Sequence, residues 1–298
     1  MFNYFDFSRN FNPLNRYQLH EELGSGAYGQ VRRAIDSETG NTVALKKPAQ
    51  TSGDVFKRFC NEVKFYERMN NSAFVLKMFD YNLSQFSPFL VTEYCNLGNV
   101  RSKMWELRFN RVRTIALLWQ AASALADVHS QGMLHRDFKP ENLLLKTDSQ
   151  NNWILKLGDP GLACFPATSV FDFGVTRTVR GTEFYIAPEL YRPEASYTAD
   201  ADTFSFGVTA VEMLTGGDER PLANAKIWNF SENLNRLLTS MISANPQERP
   251  EMENVVKALS NIYHDEVQKA QNQRLGIGLG ILAFVGLGGY LLLKELDS

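Results

Sequence analysis

The sequence predicts an α+β protein in which a small, mainly β N-terminal lobe with one helix precedes a larger, mainly α lobe. A C-terminal transmembrane helix is predicted to follow. Three observations support this prediction: strand and turn patterns over residues 17–95, helical periodicity over much of residues 96–264, and an uncharged stretch over residues 275–293. The 298 residues are 44% hydrophobic, which is enough to bury a sizeable core.

Charge and cysteine content exclude several classes of function. The chain has 31 basic and 33 acidic residues, a formal net charge of −2, so nothing favours nucleic acid as a partner. Cys60, Cys95 and Cys164 show no C-x-x-C spacing, which favours free thiols over a zinc site or a disulfide framework. Residues 1–16, read as an N-terminal arm rich in aromatics, lack the pattern of a secretory signal.

A glycine-rich stretch follows the first predicted strand. Gly24, Gly26 and Gly29 form G-x-G-x-x-G, and glycines allow a backbone to approach phosphate oxygens closely. The pattern alone also occurs in dinucleotide-binding turns. Here the strands Val31–Ile35 and Thr42–Lys46 follow it, joined by a turn, instead of the helix that a dinucleotide-binding turn requires.

The next segments complete the predicted β lobe. Apolar residues recur every three or four positions over residues 54–69, which predicts an amphipathic helix that contains Glu62. Strands are predicted at Leu76–Tyr81 and Phe89–Glu93, giving five strands in all. Lys46 lies on the second of the strands that follow the glycine loop, and a lone strand lysine or helix glutamate is usually solvated.

The second lobe begins with helical patterns and carries the richest motif. Helices are predicted over residues 100–107 and 111–129. Residues 134–145 then place a carboxylate, a cation and a second oxygen ligand on one short loop, the groups needed to move a phosphoryl group onto a hydroxyl. Two short strands, 143–145 and 153–157, lead to Gly158-Asp159-Pro160-Gly161.

Taken in order, these motifs resemble those of the eukaryotic-type protein kinases, serine/threonine class. The match includes H-R-D-x-K-P-E-N from His135, G-T-x-x-Y-x-A-P-E from Gly181 and N-P-x-x-R-P from Asn245. The resemblance covers residues 17–264, with an N-lobe over 17–95 and a C-lobe over 96–264. It implies the bilobal kinase fold with ATP bound in a cleft between the lobes.

The resemblance also implies a role for each site residue. Asp137 would orient the substrate hydroxyl and accept its proton, and Lys139 would neutralise charge on the γ-phosphate. Glu62 would position Lys46 on the α- and β-phosphates, while Asn142 and Asp159 would bind Mg²⁺. The residues expected to contact the nucleotide are Gly24, Gly26, Gly29, Val31, Ala44, Lys46, Glu93 and Cys95, with Thr92 as gatekeeper.

One residue departs from the family pattern. Pro160 stands where kinases carry phenylalanine, and we expect it to push Asp159 toward extended backbone angles and to remove an aromatic contact with His135. The alternative functions are therefore a catalytically weak pseudokinase or a membrane-bound scaffold that binds nucleotide.

Other expectations concern the C-lobe. An activation loop is predicted over residues 162–180, where phosphate on Thr178, or secondly on Thr176, would meet Arg136. The alternative is that both are unmodified loop threonines. A very apolar helix is predicted from Asp202 to Leu214. The resemblance implies that its buried aspartate accepts backbone N–H groups from residues 134–145, the catalytic loop. Arg249 is expected to pair with Glu189.

The C-terminus suggests attachment to a membrane. After a polar linker over residues 265–274, Leu275–Leu293 would span about 28 Å as a helix, close to the hydrocarbon thickness of about 30 Å. A buried core helix is the alternative. We expect a single-pass anchor in the endoplasmic reticulum or another intracellular membrane, with a short tail at 294–298 and the kinase domain on the cytosolic face. Gly276 and Gly280 would allow weak self-association of two such helices. The sequence does not identify the protein substrate.

Overall fold

The computed structural model describes residues 15–160, 183–192, 195–217 and 230–276. These residues belong to two compact units. Unit 1 contains the chain up to Val63 together with Lys77–Tyr94. Unit 2 contains Lys64–Leu76 and the chain from Cys95 onward.

Unit 1 is built on an antiparallel sheet of five strands in the order β1-β2-β3-β5-β4, which confirms the predicted number of strands. Alternate side chains point into a small core under this sheet, which includes Tyr17, Val43 and Phe89. The strands are β1 (Tyr17–Gly26), β2 (Gly29–Asp36), β3 (Thr42–Pro48), β4 (Met78–Asn82) and β5 (Phe89–Glu93).

The strand β4 begins two residues later than the predicted Leu76. The residues before it pair with another part of the chain, because the N–H of Leu157 donates to the carbonyl of Phe74 over 2.7 Å. The N–H of Leu76 in turn donates to the carbonyl of Leu157 over 2.9 Å. These backbone groups are therefore satisfied inside unit 2.

The helix α1 (Gly53–Met69) confirms the amphipathic helix predicted over residues 54–69. Of the predicted apolar positions, Phe59, Val63, Tyr66 and Met69 are buried and Val55 is half-buried. The period of the apolar residues was therefore a reliable guide here.

Unit 2 contains five helices and a small sheet among the residues described. The predicted helices over residues 100–107 and 111–129 are confirmed, and side chains of Asn99 and Asn110 cap their N-termini. The helices are α2 (Val100–Leu107), α3 (Arg111–Ser130), α4 (Ala199–Thr215), α5 (Glu232–Met241) and α6 (Met252–Gly276). The sheet has the order β6-β7-β8, with strands β6 (Gly98–Asn99), β7 (Leu143–Thr147) and β8 (Trp153–Leu157).

The helix α4 is the buried centre of unit 2. It begins three residues before the predicted Asp202, at Ala199, and Gly216 ends it in the left-handed conformation with φ 79°. Gly207 allows a close approach of α5, since a β-carbon there would lie 2.8 Å from atoms of Met241 and Ile242. Hence the packing of α4 depends on a residue without a side chain.

The helix α6 extends through the predicted linker over residues 265–274 and ends at Gly276. No helix within the described ranges is both long and apolar enough to cross a membrane. Apart from its first two residues, the predicted span Leu275–Leu293 lies outside the described residues, as do residues 1–14, Thr176 and Thr178.

A buried ion pair joins two distant segments of unit 2. The two terminal nitrogens of Arg249 bind the two carboxylate oxygens of Glu189 over 2.7 and 2.8 Å, which confirms the predicted pair. The side chain of Arg249 is fully buried, and its guanidinium also lies 4.9 Å from the ring centroid of Phe204. The arginine therefore combines bidentate and cation–π contacts.

We predict that Arg249→Ala lowers the free energy of unfolding by about 3–5 kcal/mol, because it leaves Glu189 without its buried counterion. Arg236→Ala is the matched control, since it breaks an exposed pair with Glu232 and should change stability by at most about 0.5 kcal/mol. Urea unfolding at pH 7 measures both. Equal effects of the two variants would contradict this account of the buried pair.

Candidate active site

The glycine-rich stretch spans the end of β1, the turn after it and the start of β2 in unit 1. Gly29 is required by the fold, since a β-carbon there would lie 2.2 Å from the carbonyl oxygen of Lys47. At Gly24 and Gly26 a β-carbon would meet no atom within 4 Å. These two glycines therefore leave open space beside exposed backbone, which fits the predicted approach of phosphate oxygens.

Lys46 and Glu62 form the predicted pair within unit 1. The Nζ atom of Lys46 lies 2.8 Å from each carboxylate oxygen of Glu62. Both side chains are mostly buried, at 18% and 5% exposure. Lys46 is held in β3 opposite Val31 of β2, and the half-buried Ala44 precedes it on the same strand.

The end of β5 carries the residues expected to meet adenine. Thr92 and Glu93 are buried, and so is Cys95 in unit 2. The N–H of Glu93 donates to the carbonyl of Lys77 over 2.9 Å, and the Glu93 carboxylate accepts from the N–H of Lys77. The backbone group of Glu93 that could form a hydrogen bond with adenine is therefore its carbonyl.

The catalytic loop of unit 2 is fixed by Asp202, whose side chain is fully buried. Its carboxylate accepts the backbone N–H groups of His135 and Arg136 over 2.8 and 2.9 Å. The Tyr197 hydroxyl and Nε2 of His129 lie 2.9 and 3.0 Å from it. Burial alone would raise the pKa of Asp202, but His129 and these hydrogen bonds hold it below the ordinary value of 3.8.

Asp137 lies on this loop within a cluster of polar side chains. The Lys139 ammonium is 2.9 and 2.7 Å from its two carboxylate oxygens. The Nδ2 of Asn142 donates to the carbonyl and carboxylate of Asp137 over 2.7 and 3.1 Å. Burial raises the pKa of Asp137 above its usual range, while Lys139 opposes that shift. The carboxylate is therefore oriented by two neighbours and more basic than a solvated aspartate.

The residues predicted to bind Mg²⁺ lie on adjacent stretches of backbone. The N–H of Gly158, next to Asp159, donates to the carbonyl of Asn142 over 2.8 Å. The Asn142 amide nitrogen is committed to Asp137, so its side-chain oxygen is the atom that could bind a cation. Asp159 itself is exposed. An amide and a carboxylate oxygen are ligands that Mg²⁺ accepts together with substrate phosphates.

The expected backbone conformation of Asp159 was wrong. Its φ is 47°, in the left-handed region, although a residue before proline favours extended angles. Its N–H donates to the hydroxyl of Tyr66 over 3.1 Å, a tertiary contact that neighbouring residues do not encode. Pro160 itself is buried.

The model of the protein kinase domain matches residues 17–277, which is most of the chain. The chain belongs to the protein kinase family. It is 30% identical over 261 residues to CBL-interacting protein kinase 12 of Oryza sativa subsp. japonica, covering 82% of this chain and 47% of that protein.

Two further relatives match a shorter part of this kinase chain. Serine/threonine-protein kinase cst-1 of Caenorhabditis briggsae is 31% identical over 207 residues, 68% of this chain and 40% of that protein. Maternal embryonic leucine zipper kinase of Xenopus tropicalis is 33% identical over 205 residues, 68% of this chain and 30% of that protein. The chain thus spans less than half the length of these three relatives.

The sequence did not reveal one polar network of the kinase domain. Arg101 of α2 donates to Glu141 of the catalytic loop over 2.8 Å and to Glu212 of α4 over 3.1 Å. It also donates to the Tyr185 hydroxyl, which in turn donates to Glu212. Burial is the main cause that raises the pKa of Tyr185, and the hydrogen bond to Glu212 is the second. The partners of Arg101 lie 40 to 111 positions away, so no local pattern could indicate them.

We predict that the stability contributed by Asp202 is lost at acid pH. Its native pKa is lower than 3.8, so the contribution is complete above about pH 5 and falls as pH drops through 3.8 toward the native pKa. Asp202→Asn should be less stable at pH 7, and the difference from wild type should shrink between pH 5 and pH 3. Denaturant unfolding across this range measures it. A difference that stays constant with pH would contradict the charged form as the stabilising species.

Proposed function

We propose that the chain is an ATP-dependent serine/threonine protein kinase that transfers the γ-phosphoryl group of ATP to protein hydroxyls. The observation that carries this proposal is the cluster around Asp137. Its carboxylate is held by Lys139 and Asn142, and Asn142 is joined through Gly158 to the stretch that bears Asp159. A base, a cation and two oxygen ligands therefore lie on neighbouring stretches of backbone.

In the proposed reaction, Asp137 orients the substrate hydroxyl and accepts its proton. The hydroxyl oxygen forms a bond to the γ-phosphorus as the bond from that phosphorus to the β–γ bridging oxygen breaks. The leaving oxygen keeps the electron pair and departs as ADP. Lys139 offsets negative charge on the transferred group, and Lys46, held by Glu62, binds the α- and β-phosphates.

The donor set of Asn142 and Asp159 is suited to magnesium, and these two residues would hold it. When bound, the ion neutralises charge on the phosphates. Asp137 is placed next to this donor set by its hydrogen bonds with Asn142. The remaining residues that we assign to ATP binding are Gly24, Gly26, Gly29, Val31, Ala44, Glu93 and Cys95.

The serine/threonine class rests on Lys139 and on similarity. Lys139 follows the catalytic aspartate in the H-R-D-x-K-P-E-N form, and its ammonium reaches both oxygens of Asp137. The relative cst-1 of Caenorhabditis briggsae is among those named as a serine/threonine-protein kinase. The protein substrate stays undefined.

We also propose that Leu275–Leu293 anchors the kinase to an intracellular membrane, with the kinase domain on the cytosolic face. This proposal is supported by the sequence of the segment, which has nineteen residues without a charge and is followed by Lys294. The helix α6 leads directly into this segment. Gly276 and Gly280 are compatible with weak pairing of two such helices.

We predict that Asp137→Asn lowers the rate of phosphoryl transfer by about 10²- to 10⁴-fold, because the amide cannot accept the proton of the hydroxyl. The assay measures labelled phosphate transferred from ATP to a generic basic protein in the presence of Mg²⁺. Glu232→Gln is the matched control, since it also removes one carboxylate, and Glu232 is 86% exposed.

The outcomes of this assay separate the alternatives. Activity in wild type and in Glu232→Gln, with none in Asp137→Asn, supports the kinase. Equal background in all three proteins would instead favour a nucleotide-binding pseudokinase. Retained biological activity of correctly targeted Asp137→Asn would favour the scaffold.

We predict that deleting residues 275–298 releases the protein from membranes without loss of activity, because the deletion removes none of the residues that we assign to the site. Carbonate extraction of membrane fractions, followed by the same phosphoryl-transfer assay, measures both properties. A truncated protein that remains in the membrane fraction, or that aggregates without folding, would contradict the anchor as a separate segment.

A further inference from the structure

The backbone at Asp159 is restrained in an unfavourable conformation. Arg136, Asn151 and Asp159 are the non-glycine residues with positive φ in the part of the chain that the structure describes. A side chain disfavours the left-handed region, and the ring of Pro160 further restricts the residue before it. The conformation of Asp159 therefore needs contacts that hold it.

Hydrogen bonds on both sides of Asp159 supply these contacts. The N–H of Gly158 donates to the Asn142 carbonyl over 2.8 Å, and the carbonyl of Gly158 lies 3.2 Å from Nε2 of His135. The N–H of Asp159 donates to the Tyr66 hydroxyl over 3.1 Å. Pro160 has no N–H, so the backbone donors in this stretch are those of Gly158 and Asp159.

The position of the Tyr66 hydroxyl is fixed by packing. Tyr66 is 1% exposed, and its ring meets the edge of Phe65 with centroids 5.7 Å apart. Phe65 in turn meets His135 edge to face at 6.3 Å. Hence an aromatic side chain of α1 contacts His135, although Pro160 does not supply the expected phenylalanine.

We propose that Tyr66 is a positioning residue whose hydroxyl holds Asp159 in its left-handed conformation and so presents the carboxylate to a metal–nucleotide complex. This inference rests on the proposed function. The same arrangement occurs at Arg136, a second left-handed residue whose N–H is held by a buried side chain, that of Asp202. In both cases a buried side chain stabilises a conformation that the local sequence disfavours.

Removal of the hydroxyl should affect metal binding more than folding. Without it, Asp159 can leave the left-handed conformation, and only the remaining competent fraction of molecules presents the carboxylate. The apparent affinity for the metal falls in proportion to that fraction. The ring of Tyr66 still fills the core in Tyr66→Phe, so the packing around Phe65 is kept.

The test compares the full chain with its Tyr66→Phe variant. The probe is Mn²⁺, whose binding in the presence of a non-hydrolysable ATP analogue is followed by electron paramagnetic resonance. We expect binding to be about three- to tenfold weaker in the variant, the size of effect of one hydrogen bond. The Mg²⁺ concentration needed for half-maximal phosphoryl transfer should rise similarly, while KM for the protein substrate stays unchanged.

Two further variants distinguish positioning from general damage. Tyr263→Phe is the matched control, because it removes the hydroxyl of another tyrosine, in α6, and it should leave Mn²⁺ binding unchanged. Pro160→Ala in the Tyr66→Phe protein should restore part of the lost affinity, because alanine relieves the restriction on Asp159. A purely structural defect would not be rescued in this way.

The outcomes separate this inference from the proposed function. An active wild type whose Mn²⁺ affinity and Mg²⁺ dependence are unchanged by Tyr66→Phe overturns the role of Tyr66 alone. A variant with a lowered melting temperature and equal losses in metal and protein-substrate binding also overturns it. A wild type that neither binds Mn²⁺ with the nucleotide nor transfers phosphate overturns the proposed function and, with it, this inference.

Discussion

The buried carboxylate of Asp202 is the constraint on which the catalytic loop depends. A charge in the core is unfavourable unless it is fully hydrogen-bonded, and Asp202 meets this condition through two backbone N–H groups, a hydroxyl and a histidine. The same bonds fix His135 and the left-handed Arg136, and so the start of the loop that carries Asp137. Because α4 is buried along most of its length, the anchor for this loop is rigid.

Helix α4 and the strand pair β7–β8 hold the stretches that carry Asp137, Asn142 and Gly158. The ring of Phe138 lies 5.9 Å from that of His135 and 5.4 Å from that of Phe206, measured between centroids. These contacts connect the catalytic loop to α4. The strands β7 and β8 bring Asn142 and Gly158 into hydrogen-bonding distance. Asp137 is therefore oriented by neighbours on its own loop, and Gly158, which precedes Asp159, is hydrogen-bonded to that loop, an arrangement typical of preorganised charge stabilisation.

The presence of Pro160, where the sequence motif of the family has phenylalanine, changes how the stretch over residues 158–160 is held. A phenylalanine there would pack against its neighbours through its side chain, whereas proline contributes a buried ring and no backbone donor. In this chain the contacts come from α1 instead, through the ring of Phe65 and the hydroxyl of Tyr66. The left-handed Asp159 shows that tertiary contacts outweigh the local preference of a residue before proline.

The amino-acid pattern alone was enough to predict the number of strands in unit 1 and the helices α1, α2 and α3. It also named residues that the structure brings together, Lys46 with Glu62 and Asp137 with Lys139 and Asn142. Periodicity and motif order are local properties, and the spacing of Asp137, Lys139 and Asn142 on one loop leaves little freedom. The conformation of Asp159, the start of β4 and the partners of Arg101 became visible only in the folded chain. Each depends on hydrogen bonds between segments far apart in the chain, and no local preference encodes where such segments meet.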